Sequence, residues 1–172
     1  MTGIRHGTFS TRLGELLLVA DGGALTGVYF EGHSYPPAED AIGDDLGADP
    51  DDALLAEAAR QLREYLSGDR RDFDLMLAPV GDESSQRVWE ILLGIPYGAT
   101  TTYGAIADQL GSRGLAQRVG QAVGHNPVSI IIPCHRVLGA DGSLTGYAGG
   151  LERKRFLLAL EEPPAAESDR LF

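Results

Sequence analysis

The sequence predicts an α+β protein in two parts, a small N-terminal antiparallel sheet with one helix and a mainly helical C-terminal part. Three observations carry this prediction. Two β-type runs, Glu15–Ala20 and Leu25–Phe30, flank Asp21-Gly22-Gly23-Ala24. Beyond residue 80, apolar residues recur at helical spacing in four stretches. Between the two regions, Pro79 to Glu83 interrupts every periodicity. We therefore divide the chain into residues 1–80 and 81–172, a length that suits one domain or two small ones.

In the first part, Phe9-Ser10-Thr11 leads into the two runs, and Gly22-Gly23 supplies the positive φ angles of a tight hairpin turn. Gly32 to Asp52 is rich in Pro, Gly and Asp and reads as a surface loop or partly disordered linker. Asp51 or Asp52 then caps a helix over 53–66, with Leu55, Ala58, Leu62 and Tyr65 on one stripe to pack on the sheet. The alternation in Asp72-Phe73-Asp74-Leu75-Met76-Leu77 predicts a further strand.

In the second part, Ser84 or Ser85 caps a helix reaching about Leu93, stopped by Gly94-Ile95-Pro96-Tyr97-Gly98. Thr101 or Thr102 caps a short helix, Tyr103 to Leu110, and Gly111-Ser112-Arg113-Gly114 turns into another from about Leu115 to Val123. Two short helices around a tight Gly-containing turn form a helix-turn-helix pattern, which is common by chance. Here, however, Leu115, Val119, Ala122 and Val123 share one stripe, which leaves Gln117, Arg118 and Gln121 to face a partner. Gly139 to Ser143 reads as a turn and Gly146 to Gly150 as a loop able to close over a small pocket. A last helix, about Leu151–Glu161, ends at Pro163-Pro164, ahead of a mobile tail.

Between these helices lies Ile130-Ile131-Ile132-Pro133-Cys134-His135-Arg136-Val137, read as a buried strand ending at Pro133 that delivers Cys134 and His135 to a fixed point. Cys134 is the chain's single cysteine, and a lone cysteine is more often an inert buried side chain than a nucleophile. His135 changes that balance, since imidazole can take the thiol proton directly or through a water, and the thiolate is the reactive form. Neighbouring residues on a strand face opposite ways, so a relay is expected.

One cysteine excludes an internal disulfide or a multi-cysteine zinc cage, and four scattered histidines show no metal-ligand spacing. No apolar run of membrane-spanning length or signal peptide is present, so a cytoplasmic protein is expected. The net charge of −11 argues against nucleic acid until its distribution is considered. Residues 1–85 hold 17 acidic and 6 basic side chains, residues 86–172 hold 8 of each, and no acidic residue lies between 109 and 140. The acidic half reads as solvated surface, and the half with Cys134 can face phosphates locally.

The run Pro133-Cys134-His135-Arg136-Val137, with Gly124-His125-Asn126-Pro127 before it and Gly146-Tyr147-Ala148-Gly149-Gly150 after it, resembles the active-site signature of the O6-alkylguanine-DNA alkyltransferases, also called methylated-DNA–protein-cysteine methyltransferases. The resemblance implies a ribonuclease-H-like N-terminal domain and a C-terminal domain of winged-helix type. It implies that double-stranded DNA carrying O6-alkylguanine, and O4-alkylthymine, is repaired by flipping out the base and passing its alkyl group to Cys134 once, irreversibly. His135 then deprotonates the thiol through a water, Glu161 supports His135, Asn126 braces the turn before the cysteine, and the Tyr103 hydroxyl donates to guanine N3. Val137, Tyr147, Ala148 and Gly149 surround the base, while Thr102, Gln117, Arg118 and Gln121 meet DNA. Arg136 is read as structural, tying the site to nearby carbonyls or carboxylates.

Two departures from the family pattern stand out. Gln117 occupies the position of an arginine that fills the space of the flipped base, with Arg118 turned about 100° away. Ala148 replaces a serine found in some members. No cofactor is required, and a monomer is expected. The alternatives are an alkylated-base sensor, which usually carries tryptophan in place of Cys134, a Cys/His thiol hydrolase or redox protein, and a transcriptional regulator, for which the chain has no additional module.

Overall fold

The computed structural model describes residues 3–162. The N-terminal half is built on a four-stranded sheet of β1 (Ile4–Thr11), β2 (Gly14–Asp21), β3 (Ala24–Phe30) and β4 (Asp44–Ala48) in the order β3-β2-β1-β4. β1, β2 and β3 form an antiparallel meander, and the hairpin turn between β2 and β3 falls where expected, but Gly22 alone, with φ of 59°, takes a positive φ there and Gly23 does not. Helix α1 (Ala53–Leu66) lies on one face, and its Leu55, Ala58, Leu62 and Tyr65 are buried against Leu16, Leu18 and Val28 of the sheet side. Each fully buried Leu or Val contributes about 1.5–3 kcal/mol. Asp52 starts the helix, accepting from Leu55 N at 3.0 Å and also holding Arg5 Nε at 2.7 Å.

Three readings of this half are corrected. The meander begins at Ile4, ahead of Phe9, so the hairpin has a third strand. The segment read as loop or linker contains β4, which pairs in parallel with β1. Its five residues are all exposed, so it has no apolar alternation to betray it. Conversely, residues 72–77 form no regular strand. Only Leu77 bridges to Leu25, while the Gln61 side chain bonds both backbone groups of Asp74 at 2.8 and 3.2 Å and takes the place of a strand neighbour.

The C-terminal half comprises α2 (Glu83–Leu93), β5 (Thr101–Thr102), α3 (Tyr103–Gln109), α4 (Ala116–Gly124), β6 (Val137–Leu138) and α5 (Leu151–Glu161), with β5 and β6 paired in parallel. Asp82, rather than Ser84 or Ser85, caps α2 by accepting from Ser85 N at 2.8 Å. Thr102 caps α3, accepting from Ala105 N at 3.1 Å. A single 3-10 turn, Arg113–Leu115, joins α3 to α4 in the helix-turn-helix. Trp89 of α2 donates its ring N–H to Ala122 O at 2.9 Å and so fixes α2 against α4. The expected end of α5 at Pro163-Pro164 and the tail after it lie outside the described residues.

One buried cluster runs through both halves, from Phe9 and Leu16 to Ile132 and Leu157. The backbone stitches them as well: Val28 N donates to Pro127 O at 2.8 Å, and Ser129 N donates to Val28 O at 3.1 Å. Strand β3 thereby supports the turn that leads to Cys134.

Candidate active site

The Ile130–Pro133 run is buried as expected, yet it is not a strand. It winds through tight turns, with Ile131 N bonded to Ser129 O at 2.8 Å, Ile132 N to Val128 O at 3.0 Å, and Ile130 at a φ of 74°. A wholly apolar run has no periodicity with which to distinguish the two conformations. Asn126 holds the turn: its Nδ2 donates to Ile132 O at 2.8 Å and Val128 O at 3.4 Å, and its Oδ1 accepts from Val128 N at 3.0 Å. A non-glycine residue at positive φ is strained, and these three bonds offset that strain. The chain then enters a 3-10 turn, Cys134–Arg136, and passes directly into β6.

Cys134 is 4% exposed. Burial pushes its thiol pKa up, against the opposing pull of Asn126, Lys154 and Tyr147, so the resting group is a thiol. The Tyr147 hydroxyl is buried near Cys134 and Ser129 but has no well-formed hydrogen bond among the described residues.

His135 is fully buried. Its Nε2 lies 2.9 Å from Glu161 Oε2, while no described residue partners its Nδ1. Burial lowers its pKa and outweighs the support of Glu161, which makes it neutral at pH 7. With the ring proton on Nε2 and donated to the carboxylate, Nδ1 carries a free lone pair, the tautomer a general base needs.

Glu161 stays ionised. Burial alone would raise its pKa, but hydrogen bonds from His135, Arg136 and Tyr65 bring it down to about 2. Arg136 grips it with both arms, Nε to Oε1 and Nη2 to Oε2 at 2.7 Å each, and Nη1 donates to Ile95 O at 2.6 Å. The expected structural role of Arg136, toward carbonyls and carboxylates, is what this geometry provides. The helix C-terminus, where a carboxylate is disfavoured, is offset by the guanidinium.

Beside the thiol runs a cleft of about 550 Å³ whose walls include Tyr103, Gln117, Gln121, Tyr147 and Ala148. Cys134 does not reach that wall, and Tyr147 connects the two by lining the cleft and approaching the sulfur. Tyr103 points its hydroxyl at Thr145 Oγ1, 2.8 Å away. Gly149 is buried, and a Cβ there would run into the Phe30 ring, so only glycine lets the loop lie on the sheet. Val137 is buried, with its carbonyl taken at 2.7 Å by Lys154 Nζ.

Not every expected contact residue meets the cleft: Val137 and Gly149 are buried behind its lining. Thr102 is half-buried in β5 and serves as the α3 cap. Arg118 is exposed on the far side of α4, in a separate hollow with Glu83, Arg87 and Leu115. Gln117 and Arg118 therefore serve different surfaces.

Several participants were missed by the sequence reading. Lys154 is fully buried, donating also to Thr145 O at 3.3 Å, and no described carboxylate pairs with it. A signal existed, since Lys154 and Glu161 fall on the Leu157 stripe of α5 where apolar residues belong. Tyr65 was read only as core, whereas its hydroxyl donates to Glu161. From the N-terminal half, Ser34 N donates to Ala148 O at 2.8 Å, and Tyr35 stacks on His125 at 3.9 Å between ring centroids, on the cleft rim.

Comparison with known proteins places the chain beside a repair family. Residues 4–79 match the family model described as "6-O-methylguanine DNA methyltransferase, ribonuclease-like domain", and residues 83–163 match that of its "DNA binding domain". A methylated-DNA--protein-cysteine methyltransferase of Mycobacterium bovis is 44% identical over 98% of this chain and 99% of its own length. A namesake in Methanosarcina acetivorans is 42% identical over 91% of this chain and 97% of its own. The crystal structure of Mycobacterium tuberculosis OGT in complex with DNA superposes with a TM-score of 0.81 at 43% identity, covering 92% of each chain.

Proposed function

Because the chain belongs to the 6-O-methylguanine DNA methyltransferase family, we propose that it repairs alkylated DNA directly, moving the alkyl group of an O6-alkylguanine, and of O4-alkylthymine, onto Cys134. The observation that carries this reading is the assembly of Cys134, His135 and Glu161 beside a cleft whose other wall is the second helix of a helix-turn-helix.

The chemistry follows from those groups. Transfer is a substitution at carbon, and a soft thiolate suits it. The thiol proton leaves Sγ for the Nδ1 lone pair of His135, directly or through a water. The resulting imidazolium is balanced by Glu161, which is already anionic. The sulfur lone pair forms the S–C bond as the C–O6 bond breaks, and its electrons pass into the guanine ring. Guanine then needs a proton at N3, and Tyr103 is the phenol placed on the cleft wall to donate it. The thioether has no resolving cysteine and is not exchangeable like a disulfide, so each chain reacts once.

Burial of the thiol also fits. A neutral resting thiol is protected from stray electrophiles, and a base entering the cleft beside Tyr147 brings the electrophilic carbon to it. Tyr147 and Ala148 then line the base pocket, Val137 and Gly149 lie buried behind that lining, and Gln117 and Gln121 face the duplex. We assign the transfer chemistry to residues 81–172, the substrate to double-stranded DNA bound by a monomer, and the setting to a reducing compartment such as the cytoplasm. Among the described residues, no helix is long and apolar enough to cross a membrane.

The test is to incubate the protein with a duplex containing O6-methylguanine and map the product by mass. One methyl on the peptide holding Cys134, and none on Cys134→Ala, is expected. Lesion-selective binding without a mass gain would make the protein a sensor.

A further inference from the structure

The N-terminal half enters the reaction centre through one hydroxyl. Tyr65, in the last turn of α1, is fully buried and donates to Glu161 Oε2, a residue 96 positions later in the chain. The same oxygen receives His135 Nε2 at 2.9 Å and Arg136 Nη2 at 2.7 Å, while among the described residues Oε1 receives only Arg136 Nε. A carboxylate oxygen presents about two lone-pair directions, so three donors on one oxygen compete. The Tyr65 ring is held in place by Tyr97, edge-on at 6.2 Å, and by Phe73 at 5.4 Å.

We propose that Tyr65 is a positioning residue for the transfer: by donating to Glu161 Oε2 it limits that carboxylate's hold on His135, so His135 rests as a neutral base with a free Nδ1. The proposal rests on the alkyl-transfer reading given above.

The groups facing the His135–Glu161 pair come from every neighbouring element. Cys134 and Arg136 belong to the 3-10 turn, Lys154 to α5, Tyr65 to α1, and Tyr147 to the loop before α5. Tyr97 lies after α2, with the Arg71 guanidinium 4.9 Å from its ring centroid. Of these, Arg136 and Lys154 oppose a charged His135, and Glu161 favours it. The phenol remains protonated at all working pH values, since burial and then Glu161 raise its pKa, and it therefore always acts as a donor. Without the hydroxyl, Glu161 has one competitor fewer and attracts the imidazole proton more strongly. His135 would then become protonated at a higher pH.

Tyr65→Phe keeps the ring and its packing, which circular dichroism would verify. Two rates are measured against pH by intact mass: methyl transfer from an O6-methylguanine duplex, and alkylation of Cys134 by iodoacetamide. We expect the midpoint of the acid limb to rise by about half to one pH unit in both, the scale of one ordinary hydrogen bond. In a Glu161→Gln background the same substitution should move neither midpoint, because its route has been removed. A uniform slowing with both midpoints unmoved would assign Tyr65 to packing and overturn the proposal. If the wild type takes no methyl while the iodoacetamide midpoint still moves, the repair reading fails, and what stands is the hold of Tyr65 on the Glu161–His135 pair, without a transfer for it to serve.

Discussion

The two halves of the molecule divide the work unequally, and they reveal it differently. The half before residue 80 is an acidic, regular sheet and helix, with two of its strands read from β-type runs and a turn read from two glycines. The half after it holds Cys134 and His135, proposed above as nucleophile and base, on a 3-10 turn, and the proposed supporting carboxylate Glu161 at the end of α5. Regularity belongs to the part that supports, and irregularity to the part proposed to react. Yet the division is incomplete, because β3 holds the turn before Cys134, Tyr35 stands on the cleft rim, and Tyr65 reaches Glu161. The first half is thus part of the site's second layer of contacts as well as its scaffold.

Breaking the C-terminal network should have the largest effect. Arg136→Met leaves Glu161 buried with its main countercharge gone, and unfolding by urea should show a loss of about 3–5 kcal/mol. A loss below about 1 kcal/mol would mean that water reaches the carboxylate and that the network is not a dry one.

Acid should test both halves together. His33, buried in the N-terminal half, has its pKa lowered from 6.5 to about 4, first by burial and then by Arg153, and His135 is lowered in the same direction. Both are neutral when folded, so below pH 6.5 the unfolded chain binds protons that the folded one refuses. Stability then falls with pH, by about 1.4 kcal/mol per pH unit for each such proton. Glu161 acts lower down. Its pKa is depressed from 4.5 to about 2, so the stability it contributes is present above 4.5 and is lost as pH falls toward 2, up to about 3 kcal/mol. Thermal melts between pH 7 and 3 should show a decline that begins near 6.5 and steepens below 4.5. A flat profile down to pH 5 would contradict the burial of the two neutral imidazoles.

The seam between the halves should respond less. Gly149→Ala sets a methyl group against the Phe30 ring, and a cost of about 1–3 kcal/mol is expected by denaturant titration. An unchanged midpoint would show that the loop can lift from the sheet freely.

The smallest effect concerns DNA and separates neighbours on α4. Arg118 lies off the cleft and Gln117 on it. Arg118→Ala should weaken binding to damaged and undamaged duplex alike and reduce the salt slope by about one. Gln117→Ala should weaken only the damaged duplex. The reverse assignment would place the roles one residue apart from those drawn here.

Much of this was legible in the sequence where a local rule applied. The bounds of α1, a cap at Asp51 or Asp52, a turn at Gly22-Gly23, a cap at Thr101 or Thr102 and the helix-turn-helix all follow from capping, turn chemistry and a 3.6-residue period, and the structure selects Asp52, Gly22 and Thr102. The errors share a cause, which is that the deciding partner was remote. β4 is polar and exists because β1 offers it an edge. Residues 72–77 alternate like a strand, but Gln61 takes their backbone. Ile130–Ile132 is apolar enough for a strand, but Asn126 bends it into turns. Within the site, Cys134 and His135 were visible as neighbours. Tyr65 and Lys154 were not, since each sits on a core-facing helix stripe and its polar atom finds a purpose only in the folded chain.

At the centre of the proposed reaction is a thiol that accepts one group and then stops. A duplex carrying O6-methylguanine with a radiolabelled methyl, supplied in excess, measures this directly as label bound per chain. One equivalent fixed to Cys134, with no label released to solution, is the predicted result. More than one equivalent turned over per chain, or label found on any other residue, would contradict it.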